Sequence, residues 1–185
     1  LKLSDRVPLV FYTCGYFLSK YHLMSEIAFN YDLFTDAVLN AIEDFPIDAY
    51  IVTNGLVSTP RLIGFAMAEC YPELVRYYGR SVTGPLHDIL RDRYTRWPGR
   101  ELSSNEAPQY IGWEFMKADE YNKLIDNPSE FILSTIVPRT AENLSNPSST
   151  KYLATLTMLI VEMQRVAEAN IKMLKAAQAK GMPLP

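Results

Sequence analysis

Arg76, Arg80, Arg91, Arg93, Arg96 and Arg100 crowd into the stretch between Pro72 and Pro108. Guanidinium forks are the donors that a desolvated carboxylate or phosphate needs. The same stretch carries Gly79, Gly84, Pro85, Pro98 and Gly99, and so reads as a long irregular insertion over about residues 72–108, with partial helix from Leu86 to Tyr94. Long irregular segments are often functional. Charge runs generally face solvent, and that is the simpler reading of this one. Further along, Glu114 and the Asp119–Glu120 pair are candidates for acid–base work, although Asp119 and Glu120 fit better as the negative first turn of a helix. Arg139, directly after Pro138, has the chemistry to hold a carboxylate or to cap a helix, and the sequence does not choose between them. His22, His87, Cys14 and Cys70 show no metal-ligand spacing among themselves. Cys14 reads as a small buried hydrophobe and His22 as a surface or core-edge residue; His87 is uncommitted.

These residues are set in a chain of 185 residues, enough for one core of ordinary size. Hydrophobic residues at 48% and charged residues at 21% fall in the range of soluble globular proteins. A formal net charge of −3 gives no general attraction to nucleic acid or to an anionic membrane, so neither is expected as a partner. Two distant cysteines with no CxxC point to a reduced, cytoplasmic setting. The most apolar stretch, Leu153 to Val166, is broken by Thr155, Thr157, Glu162 and Gln164, which describes a buried amphipathic helix rather than a membrane span.

The elements that must position the chemistry alternate. Leu9 to Thr13 is a continuous apolar run, as in a fully buried parallel strand. From Tyr31 to Phe45 the residues Leu33, Phe34, Ala37, Val38, Ala41 and Ile42 form one helical stripe. Asp48 to Thr53 is a second buried strand, broken by Asn54-Gly55; Thr59 then caps a helix with Pro60 in its first turn, running to about Cys70. Strand, helix, strand, helix means parallel strands with crossovers. Tyr110 to Trp113 reads as a short strand and Asp119 to Ile125 as a short helix. Asn127-Pro128-Ser129-Glu130 is a capping box opening a helix that stops before Pro138. A long helix follows from about Thr150 to Lys180, with Tyr152, Leu156, Leu159, Ile160, Met163, Val166, Ile171 and Leu174 inward, Met158 and Met173 packed in the core, and Gly181 as its C-terminal cap.

Three stretches carry a family resemblance. Val7 to Leu18, opening Val7-Pro8-Leu9-Val10-Phe11, is similar to the first strand of the uroporphyrinogen decarboxylase family. Phe45 to Leu56, with Asp48-Ala49-Tyr50-Ile51-Val52, is similar to its second strand. Trp113 to Tyr121, followed by Asp126-Asn127-Pro128 and Pro138-Arg139, resembles the "G-E-x-M-K-x-D-E-Y", "D-P" and "P-R" succession of the family's methyltransferase-like branch. The resemblance implies the N-terminal half of a (β/α)₈ barrel with a ligand site at the carboxyl ends of the strands, where Thr13, Cys14, Tyr16, Asn54 and Gly55 would lie. Tyr16 and Asn54 fit pocket lining and structural turn equally well.

The departures from the family bear on chemistry. The family's two carboxylate-holding arginines in the opening motif are matched here by Thr13 and Tyr16, after one deletion, and its catalytic aspartate by Gly55 beside Asn54. Neutral groups supply neither the recognition nor the charge stabilisation that uroporphyrinogen decarboxylation needs. The methyltransferase-like branch implies a corrinoid-linked methyl transfer on a methylated small molecule. It also implies a zinc site, built from a His-x-Cys pair and a later cysteine in the C-terminal half of the fold, so no ligand of zinc or cobalamin is expected within these residues.

The expected fold is therefore α/β, part of a (β/α)₈ barrel that needs ~250 residues when complete, and the chain reads as a piece of something longer. Its partners would be a small-molecule or corrinoid-protein substrate and the other half of the barrel, or a second chain, on its exposed strand edges. The expected function is a methyltransferase-like enzyme of this family. The rivals are a decarboxylase of a tetrapyrrole or other acid, drawing its cations from the Arg76–Arg100 stretch, and a non-catalytic binding or assembly module with a mouth plugged by Tyr12, Tyr16 and Tyr50. The candidate substrate-binding residues are Thr13, Cys14, Tyr16, Asn54, Gly55 and Arg139.

Overall fold

A computed structural model describes residues 9–12, 15–45, 47–51, 58–72 and 83–182. The two apolar runs become strands, β1 (Val10–Tyr12) and β2 (Ala49–Ile51). They pair in parallel, with Val10 opposite Ala49, Phe11 opposite Tyr50 and Tyr12 opposite Ile51. The Asp48 carboxylate accepts the Leu9 N–H at 2.7 Å and the Asp48 N–H donates back to the Leu9 carbonyl, which fixes the register at the start of the pair. Between the strands lie α1 (Gly15–Leu18), α2 (Met24–Ile27) and α3 (Tyr31–Asp44). Asn30 caps α3 by accepting from the Asp32 and Leu33 N–H groups. The stripe expected on α3 faces inward, with Ala37, Val38 and Ala41 buried.

After β2 comes α4 (Thr59–Met67). Its cap is Ser58, one residue before the expected Thr59, and the Ser58 hydroxyl accepts the Arg61 N–H. Thr59 is freed for a different bond, described below. The insertion is more ordered than a solvated loop from residue 83 onward. Helix α5 (Gly84–Leu90) is capped by Thr83 and stops at Arg91, which takes the left-handed backbone. This is shorter than the expected helix to Tyr94. Tyr94, Leu90 and Trp97 are buried, and β3 (Thr95–Arg96) pairs antiparallel with β4 (Gln109–Tyr110). Gly84 is required by close approach: a Cβ there would sit 2.5 Å from the Ala28 carbonyl oxygen.

Next come a 3₁₀ turn (Ala118–Glu120), α6 (Tyr121–Asp126) and α7 (Pro128–Phe131), with Asn127 capping α7 as the sequence implies. The helix does not stop before Pro138. A π-helical turn over Ile132–Ile136 leads into α8 (Val137–Thr140) and carries the chain past the proline. Widened turns of this kind absorb a residue that cannot join the regular ladder. The chain closes with α9 (Thr150–Ala179), a helix about 45 Å long. Gly181, at φ +83°, supplies the left-handed residue that ends it, with its N–H on the Gln178 carbonyl.

Helix α9 serves two apolar clusters. Met173 packs with Leu18, Met24, Ile27 and the inward face of α3, while Leu159 packs with Ile63, Leu86, Leu90, Val137 and Leu144. Met158, Ile160 and Ile171, expected inside, are exposed. Ile160 lies one residue, about 100°, beyond Leu159, and Ile171 lies two residues short of Met173, so both fall off the stripe that the core selects. Among the described residues the parallel sheet has two strands, and no helix is long and apolar enough to cross a membrane.

A chain of hydroxyls ties these parts together. The Thr140 hydroxyl donates to the Val137 carbonyl, so its oxygen is left to accept from Thr59 Oγ1 at 2.8 Å, and Thr59 Oγ1 then accepts from the Tyr94 hydroxyl at 3.1 Å. The Tyr94 oxygen in turn accepts the Thr59 N–H at 2.8 Å. All three side chains are buried. Replacing Tyr94 by Phe strands a buried N–H and should lower unfolding free energy by about 1–3 kcal/mol in urea titrations. A loss below about 0.5 kcal/mol would show that the hydroxyl chain is incidental.

Candidate functional site

His87, in the last turn of α5 and 5% exposed, sits among buried polar groups. Its Nδ1 lies 2.7 Å from Asp92 Oδ2 and its Nε2 3.2 Å from Glu101 Oε1. Asp92 is itself buried and accepts from the Tyr94 and Thr95 N–H groups and from the Thr95 hydroxyl. Thr95 Oγ1 accepts the Trp97 indole N–H, and the Trp97 backbone N–H donates to Glu101. Burial alone would lower the His87 pKa, but Asp92 and then Glu101 outweigh it and hold it above the ordinary histidine value. A protonated ring donates from both nitrogens and satisfies both carboxylates. The arrangement makes a rigid polar floor from residues that are close in sequence.

Above this floor is a cavity of about 690 Å³. Arg91, Arg93, Arg96 and Arg100 line it together with Trp113. Asp88, Asp92, Glu101 and Glu142 also reach it. Arg100 grips Asp88 with two forked bonds of 2.9 and 2.6 Å and lies over the Phe29 ring. Arg93 sits over the Trp113 ring at 5.8 Å. Arg91 is the one non-glycine with positive φ among the described residues. That conformation costs about 1–2 kcal/mol, and it is held because Arg91 donates its N–H to the His87 carbonyl while its own carbonyl accepts from Glu142.

The other sequence candidates fall elsewhere. Thr13, Cys14, Asn54 and Gly55 lie outside the described residues; Tyr16 falls within α1 as backbone, and its side chain is likewise outside them. Arg139 holds a carboxylate, and the carboxylate belongs to this chain: Glu120 takes its fork at 2.6 and 2.8 Å, and the Phe115 carbonyl accepts a third bond. Glu120, the last residue of the 3₁₀ turn, also accepts the Lys117 N–H that precedes it, in keeping with the helix-turn reading of Asp119 and Glu120. His22 pairs with Asp36 at 2.8 Å. Cys70 is exposed. Among the described residues no group of three or more histidine, cysteine, aspartate and glutamate side chains is arranged to hold a metal ion. The Asp92–Thr95–Trp97 floor escaped the sequence reading; the Asp-x-x-Thr spacing was the available signal, since aspartates bond their own backbone two and three residues on.

No family model, curated protein or solved structure matches this chain. The geometry of the chain's own residues is accordingly what supports a functional reading.

Arg139 first, and then the Lys117 N–H, hold the Glu120 carboxyl down to about 2. A lowered glutamate contributes stability above its unfolded pKa and loses it as pH falls through the folded one. The stability gap between wild type and Glu120→Gln should therefore be full at neutral pH and narrow between about 4.5 and about 2. Chemical denaturation across that range checks this; a gap independent of pH would contradict it.

Proposed function

We propose that the chain is part of a uroporphyrinogen-decarboxylase-like barrel enzyme that transfers a methyl group between a methylated small molecule and a corrinoid partner. The observation that carries the family part of this reading is the parallel, in-register pairing of β1 and β2 across a helical crossover. Those strands are the two segments that resemble the family's first and second strands. Parallel neighbours joined by helices place ligands at their carboxyl ends. The branch is supported by the Trp113–Arg139 stretch, whose "D-E-Y" glutamate, Glu120, and "P-R" arginine, Arg139, meet in one bidentate ion pair. That pair ties the 3₁₀ turn to α8, so the two parts of the stretch belong to one local structure.

A second reading is favoured by a specific observation. The arginine-lined cavity supplies the cations that Thr13 and Tyr16 do not, and this suits a decarboxylase of an acid other than uroporphyrinogen.

Incubating the intact protein with cob(I)alamin and a panel of methylated thiols, amines and methoxy compounds separates the readings. Protein-dependent appearance of the methylcobalamin spectrum is the expected result. Carbon dioxide release from a carboxylate panel without methyl transfer would replace the first reading by the second. Silence in both assays would leave the fold without this chemistry and sink both.

A further inference from the structure

Four arginines and four carboxylates line the 690 Å³ cavity, but they are not paired one to one. Every carboxylate on its wall is already engaged. Asp88 is held by Arg100, Asp92 by His87 and Thr95, Glu101 by His87 and the Trp97 N–H, and Glu142 by Lys151 at 3.8 Å. Arg91, Arg93 and Arg96 have no carboxylate partner among the described residues. The Arg96 guanidinium donates to the Thr95 carbonyl, and the Arg93 guanidinium lies over the Trp113 ring. Three guanidinium groups thus share one cavity in a chain whose net charge is −3. Their forked donors face the cavity without a carboxylate of their own, and an oxyanion is the group that fills such donors.

The frame is built to keep them there. Arg91 is held in a left-handed conformation by backbone bonds at both ends. The Arg93 N–H donates to the Thr140 carbonyl, and Arg96 belongs to β3. Guanidinium groups on anchored backbone lose less freedom on binding than groups on a mobile loop.

We propose that this cavity binds a small molecule carrying two or more oxyanion groups, with Arg91, Arg93 and Arg96 as its ligands and the Trp113 ring as an apolar wall. The volume accommodates a ligand of ordinary metabolite size. The inference does not rest on the family reading, because a methyltransferase, a decarboxylase and a non-catalytic binder all have a use for such a site.

Calorimetric titration of the chain at low salt with citrate and, separately, with pyrophosphate tests it. Saturable binding of at least one probe is expected. Arg93→Ala and Arg96→Ala should each weaken it about tenfold or more, the loss of a charge-assisted bond. Lys172→Gln, on α9 outside the cavity, should change it less than about twofold, as expected of a distant exposed charge. Arg93→Lys and Arg96→Lys keep the charge without the fork and stand in for any alanine variant that fails to fold. Preference for citrate assigns a polycarboxylate, and preference for pyrophosphate a phosphorylated ligand. Absence of binding overturns the proposal, as does affinity unchanged in both cavity variants or a Lys172→Gln loss as large as theirs.

Discussion

Thr59, Tyr94 and Thr140 come from three distant parts of the chain and meet through their hydroxyls in a fully buried knot. Each bond there is necessary because each group is cut off from water: a buried N–H or O–H without a partner costs about as much as several exposed contacts contribute. Thr59 opens the helix that follows β2. Tyr94 lies between α5 and β3, and Thr140 ends α8. The knot therefore fixes the arginine-bearing segment to the strand–helix unit by directional bonds, where apolar packing alone would allow sliding. Around it the Arg93 N–H on Thr140 and the Ile111 N–H on Tyr94 add backbone bonds to the same joint.

Everything proposed for the site depends on that joint. The His87–Asp92–Glu101 floor and the cavity above it are assembled from α5 and the turn after it, a region with little regular structure of its own. Such a region keeps a defined shape only when its anchors are buried. Tyr94, Leu90 and Trp97 supply that anchorage from one side, and Leu144 and Leu159 complete the apolar cluster behind it. Helix α9 then links this cluster to the one around α3, so that the crossover and the cavity share a spine.

Much of the scaffold was legible in the sequence because it obeys local rules. Two apolar runs bounded by breakers became parallel strands, the α3 stripe faced the core, and Asn127 and Gly181 capped the helices they flank. The misreadings arose where tertiary context overrode a local rule. Pro138 was expected to end a helix, but a π turn absorbed it; Thr59 was expected to cap α4, but Ser58 took that role and Thr59 joined the buried knot. Ile160, Ile171 and Met158 are apolar, yet the stripe of α9 leaves them outside. The arginine run was visible, but which arginines keep a carboxylate partner is not a local property. Arg100 finds Asp88 across twelve positions, while Arg91, Arg93 and Arg96 find no carboxylate among the described residues.

Amide hydrogen exchange at Thr59 reads the strength of this joint. Its N–H is donated to a buried hydroxyl, and if the knot joins the cavity to the fold this amide opens only with global unfolding. Its opening free energy should equal that of the core amides of α3 and track the stability of the whole chain as denaturant is added. Exchange as fast as at the exposed ends of the helices, or insensitive to denaturant, would mean that the joint opens locally and that cavity and strand pair are not one structure.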